Sequence, residues 1–159
     1  MNQAVNLIDL INDENNNLNQ VNIKELEEDN VSELQMHKIL YLLFGEFYKK
    51  FNKTLFKNSN FEAWKLGPVE VDFRWGFKNK KLNEITKFNV FLNDEEMNFL
   101  KSLIQKFLHF SVWSLVEITH SLDAWIHNYS DVNGGLRNKI SEKIFRKIFK
   151  LLPNKIFYL

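Results

Sequence analysis

At 159 residues, 45% of them hydrophobic, the chain can bury one sizeable core but would be cramped as two domains, so a single domain over residues 1–159 is expected. The absence of cysteine excludes a disulfide framework, a thiolate metal site and a cysteine nucleophile, and fits a reducing cytoplasm. A net charge of +1 argues against a dedicated nucleic-acid binder, yet it hides an asymmetry: residues 9–33 carry eight acids against Lys24, and residues 137–155 carry seven bases against Glu142.

The first residues lack the basic start of a secretion signal, and no apolar run approaches the ~18 residues that span a bilayer, so a soluble cytoplasmic protein without membrane contact is expected. Basic residues are 18 Lys against 3 Arg, and Asn and Phe are abundant. AT-rich codons produce that bias, pointing to a low-GC bacterium rather than to a function.

In chain order, Val5, Ile8 and Ile11 at spacing three predict a short opening helix. The Asn-rich run that follows predicts a loop over residues 12–30, its last third acidic and solvated. Ser32 followed by Gln35 has the form of a capping box and opens a long helix over 32–51, with Leu34, Ile39, Leu40, Leu43 and Phe47 inward and Lys38, Glu46, Lys49 and Lys50 outward. Residues 53–56 are a connector.

Residues 62–66 have helix-forming composition, and Gly67-Pro68 reads as a hard stop and a corner. Val71 to Phe77 sets Phe73, Trp75 and Phe77 at period two with Asp72 and Arg74 between them, a strand pattern for which helical wrapping is equally arguable, and a helix is expected. Residues 78–93 predict an exposed excursion with one short strand. Asn93 or Asp94 caps a helix with Met97, Leu100, Ile104, Phe107 and Leu108 on its inner face, and Ser111 caps another that ends near Thr119-His120. A second aromatic corner leads to Trp125, Gly134-Gly135 makes a break, and Ile140, Ile144 and Ile148 pattern a last helix. About six helices with at most a short β excursion imply an all-α or mainly α compact bundle.

Chemistry-bearing patterns are sparse. His37, His109, His120 and His127 lack the spacing of a metal site, and no serine elbow or glycine-rich phosphate loop is present, so no catalytic residue, metal or cofactor is assigned. A hydrolase built on His120 and a nearby acid is the weakest alternative. The basic last helix, with Lys139, Lys143, Arg146, Lys147 and Lys150, could contact phosphates, but a solvated helix face explains it as well, so nucleic-acid binding is not favoured.

Three stretches taken together carry a resemblance. His37-Lys38-Ile39-Leu40-Tyr41, then Leu55-Phe56 and Glu62-Ala63-Trp64-Lys65-Leu66-Gly67-Pro68-Val69, then Leu115 to Thr119-His120 with Trp125, stand in an order and spacing that resembles the Panacea domain, the SocA-like family of phage-associated proteins, over about residues 32–150. The departures are His37 where that family has Gln, Val71 where a proline is common, and an aromatic displaced to Phe73 or Trp75. The resemblance implies an antitoxin that neutralises a cognate toxin protein by binding rather than catalysis. It also implies that Lys38, Tyr41, Glu62, Trp64, Gly67, Pro68, Thr119, His120 and Trp125 form one internal cluster, in which the Trp64 indole is expected near His120 and Glu62 is free to pair with a histidine or a backbone donor.

Overall fold

The computed structural model describes residues 2–22, 30–121, 125, 129–130 and 136–140. In chain order it contains β1 (Gln3–Asn6), α1 (Leu7–Asn22), α2 (Glu33–Phe51), β2 (Phe61–Trp64), β3 (Gly67–Glu70), α3 (Val71–Lys78), a 3-10 turn (Leu82–Glu84), β4 (Asn89–Leu92), α4 (Asp94–Leu108), α5 (Val112–His120), β5 (Tyr129–Ser130) and β6 (Leu136–Arg137). The strands form antiparallel pairs β1–β4, β2–β3 and β5–β6. The described residues are therefore mixed α/β, which corrects the expected all-α bundle of about six helices.

The core is built around α2. Every residue from Met36 to Phe47 is buried, including His37, Lys38 and Glu46, because α3, α4, α5 and β3 enclose the helix on all sides. The outward placement expected for Lys38 and Glu46 is thereby overturned. Ser32 caps the helix, accepting from the Gln35 N–H at 3.2 Å, which is the serine half of the expected capping box.

The opening also differs from expectation. Val5 belongs to β1, which pairs with β4 in the register Val5↔Val90, and the helix starts only at Leu7, where Asn6 Oδ1 accepts from the Asp9 N–H at 3.0 Å. The helix then runs through the Asn-rich segment to Asn22 instead of ending in a loop. Tertiary bonds override the weak helix propensity of asparagine here: Asn12 Oδ1 accepts from the Val31 N–H at 3.0 Å, and the buried Glu14 accepts from Gln105 at 2.9 Å. Residues 23–29 lie outside the described residues.

The segment expected to be a helix and a corner is a β-hairpin. Trp64 faces Gly67 across a Lys65-Leu66 turn, and burial alternates along β2, with Phe61 and Ala63 inward. Pro68 is tolerated because of its side of the ladder. Its partner Ala63 donates to the Asn138 carbonyl at 2.9 Å, away from β3, so the Ala63↔Pro68 pair needs no N–H from Pro68. The outer edge of β2 is closed by residues 138–140, where the Ile140 N–H also reaches the Phe61 carbonyl at 2.8 Å.

The remaining local signals act as written in the sequence. Val71 to Lys78 is helical, Asn93 and Glu96 cap α4 reciprocally, and Ser111 caps α5 by accepting from the Ser114 N–H at 3.1 Å. The predicted last helix lies outside the described residues apart from Lys139 and the buried Ile140, which run along the edge of β2 as a backbone bridge instead of being helical.

Candidate functional site

The polar chemistry of the described residues converges where α2 meets the open edge of β3. Residues 68 and 70 turn their backbone groups away from β2, which would leave an unpaired edge against the core. Two consecutive side chains of α2 satisfy it. Lys38 Nζ donates to the Pro68 carbonyl at 2.9 Å, and His37 Nδ1 accepts from the Glu70 N–H at 3.1 Å. Lys38 has no exposed surface, and burial lowers its pKa to about 7, with Glu33 opposing that shift.

Accepting at Nδ1 fixes the neutral His37 tautomer with its proton on Nε2, which donates to Glu33 Oε1 at 3.2 Å. The same Glu33 oxygen accepts from Arg74 Nη1 at 3.0 Å, and the Arg74 guanidinium lies 4.9 Å from the centre of the Trp64 ring. Trp64 Nε1 donates to Glu62 Oε1 at 2.9 Å. The start of α2, the hairpin and α3 are tied together by this chain of contacts.

Burial lowers the pKa of His37 to about 4, the bond to Glu33 opposing. Because the folded value lies below the ordinary 6.5, the unfolded chain takes up the proton first, and stability falls as pH drops from about 6.5 to 4. Between pH 7 and pH 5 this single group is expected to remove about 2 kcal/mol. Urea unfolding at the two pH values should show that drop in the wild type and not in His37→Asn, whose amide oxygen can still accept from Glu70; an equal drop in both would mean His37 is not held neutral. Lys38 adds a second limb of the same sign, stability rising from about pH 7 to 10.5 as the unfolded chain alone keeps its proton.

At the start of α3 the fully buried Glu70 is both the last residue of β3 and the helix cap. It accepts from the N–H groups of Asn60 (2.9 Å), Asp72 (2.9 Å) and Phe73 (3.4 Å) and pairs with Lys87 Nζ at 2.8 Å. Burial pushes its carboxyl above the usual range, against the pull of Lys87 and these donors. Lys87 also reaches Asp72, so one ammonium bridges two carboxylates.

The other face of the hairpin turn meets the end of α5. Gly67 has φ +106°, and a Cβ there would lie 2.7 Å from Thr119 Oγ1 and 2.8 Å from Lys38 Cε. Thr119 is buried and donates to the Val116 carbonyl at 2.9 Å. Trp125 Nε1 donates to the Trp64 carbonyl at 2.7 Å, and its ring stacks on His120 at 4.0 Å and on Tyr129 at 4.7 Å. The ring described against His120 is thus Trp125, and Trp64 joins the stack through its carbonyl. Burial lowers the His120 pKa.

The structure brings Lys38, Gly67, Pro68 and Thr119 into direct contact and links Glu62 and Trp64 to His120 through Trp125. Tyr41 is buried one turn along α2, its ring edge-on to Phe61 at 5.3 Å. Glu62 pairs with its neighbour's indole rather than with a histidine. Of the basic patch, Lys139 is exposed and forms a backbone bridge with Glu62, while Lys143, Arg146, Lys147 and Lys150 lie outside the described residues. Sequence reasoning misses Glu70, Lys87 and Arg74, and treats His37 as a rejected metal ligand and a departure from the family's Gln. The one signal for Glu70 is its place between a Gly-Pro-Val stretch and a helical pattern, where the first N–H groups of a helix need an acceptor, although glutamate is not among the residues usually favoured there.

Among the described residues no three His, Asp or Glu side chains converge as a metal site, and no helix is long and apolar enough to cross a membrane. The family described as Antitoxin SocA-like, Panacea domain, matches residues 36–126, more than half of the chain, and spans the hairpin, α5 and all of α2 but its first three residues, Glu33 among them. No curated protein and no solved structure matches the chain.

Proposed function

The chain belongs to the SocA-like Panacea family, and on that premise we propose that it is an antitoxin that neutralises a cognate toxin by direct protein–protein binding, without catalysis, in a bacterial or phage-derived toxin–antitoxin pair in the cytoplasm. The observation that carries the reading is the family match over residues 36–126. The buried polar groups support it: Lys38 and Thr119 donate to backbone carbonyls, and His37 and Glu70 accept from backbone N–H groups and pair with the side chains of Glu33 and Lys87. Groups committed in this way hold elements at fixed angles and so preorganise a surface.

The test uses the product of the open reading frame adjacent to this gene. Expressed alone it should arrest growth. Co-expressed with this protein it should be tolerated, and the two should co-purify. Arrest that persists despite full expression of both proteins would overturn the reading.

A further inference from the structure

We infer that the outward face of α3 and the turn after it, formed by Trp75, Phe77, Lys78, Lys80 and Lys81, is the docking surface for an acidic protein partner, an inference that rests on the antitoxin reading and names the surface it uses. Trp75 and Phe77 are 47% and 43% exposed, so one eight-residue helix carries two of the large apolar side chains left in solvent. Among the described residues the others, Leu66, Phe91 and Trp113, are spread singly over the hairpin turn, β4 and α5. Aromatic side chains are the ones most enriched at protein–protein interfaces and at their hot spots.

The charge around them selects the partner. Residues 73–83 contain Lys78, Lys80 and Lys81 and no acid, Arg74 being paired with Glu33, while the flanking acids are Asp72, paired with Lys87, and the exposed Glu84. Lys78, Lys80 and Lys81 are exposed, and Lys81 Nζ lies 5.9 Å from the centre of the Trp75 ring. Residues spaced by two on a helix project to opposite flanks, which places Trp75 and Phe77 on either side of the ridge that carries Lys78. An apolar contact split by a basic ridge fits carboxylates set between apolar side chains on a protein. It fits single-stranded nucleic acid poorly, since successive bases stack on rings lying side by side.

The surface is also held rigid. Glu70 caps the helix, Gly76 presses its inner side against Leu82 and Ile85, and the basic turn is pinned by the Lys81 N–H to the Gly76 carbonyl at 2.8 Å and by Asn79 Nδ2 to the Trp75 carbonyl at 2.7 Å. Little conformational freedom remains to be lost on binding.

The experiment measures affinity of the full chain for the co-expressed product of the adjacent gene, with rescue of growth read in parallel. The double variant Trp75→Ala/Phe77→Ala and the triple variant Lys78→Glu/Lys80→Glu/Lys81→Glu are each expected to bind at least tenfold more weakly while remaining folded at the assay temperature, and the triple variant should lose the salt dependence of the association rate. Trp113→Ala, an exposed aromatic on another element, should bind as the wild type does. Wild-type binding with unchanged affinity in both variants would overturn the surface and leave the antitoxin reading standing. No binding or rescue by the wild type would overturn both. Binding of a fluorescent single-stranded oligonucleotide that the triple variant loses would assign the surface to nucleic acid and also overturn the inference.

Discussion

Replacing Glu70 with alanine is expected to destabilise the protein by about 3–4 kcal/mol, a large part of the 5–15 kcal/mol that holds a typical domain folded. The carboxylate has no exposed surface and receives three backbone N–H groups as well as the Lys87 ammonium. Alanine removes the acceptor for all of them at once. A lost helix cap accounts for about 1 kcal/mol. The larger part comes from burying donors and a lysine without their partner. Asp72 remains beside Lys87 and limits the damage, which places the estimate at the lower end of the range for a broken buried pair. Glu70→Gln keeps the size and one acceptor and should lose roughly half as much. Urea unfolding checks this through the midpoint, with the slope confirming a two-state transition. A loss below about 1 kcal/mol for alanine would mean that water reaches these donors and that the cap does not hold α3.

Part of this architecture is legible in the sequence because it is local. The caps at Ser32, Asn93 and Ser111 act over three residues, and each helix begins where its cap predicts. The hairpin is not legible in this way. Gly67-Pro68 after a helix-forming run reads as a helix stop, and only the pairing of Ala63 with Asn138 and of Lys38 with Pro68 shows why a proline can stand in a strand there. Lys38 and Glu46 misplace the outer face of α2 for a related reason. Between Met36 and Phe47 the helix has no solvent face, so Lys38 and Glu46 are buried while Lys50, beyond that stretch, is exposed, and neither periodicity nor charge reports that. The motif residues nevertheless map onto the junction, because the contacts that override local propensity are the ones made by the matching positions.

Gly67→Ala is the second large effect, and it isolates the contact between the hairpin turn and α5. Two costs add at this position. At φ +106° an L-residue is strained by about 1–2 kcal/mol. The new methyl would stand 2.7 Å from Thr119 Oγ1 and 2.8 Å from Lys38 Cε, well inside contact distance, and overpacking of a filled site costs about 1–3 kcal/mol. Neither neighbour can withdraw freely. Thr119 is buried and bonded to the Val116 carbonyl, and moving Lys38 would break its bond to Pro68 and open the edge of β3. A total loss of about 2–5 kcal/mol is therefore expected. The steric part can be separated from the backbone part with Thr119→Ala, which removes the nearer obstacle. The double variant should recover about 1 kcal/mol relative to the sum of the singles, while the strain at φ +106° persists. Simple additivity in that cycle would show that Thr119 does not press on the turn, and that the glycine is required by its backbone angle alone.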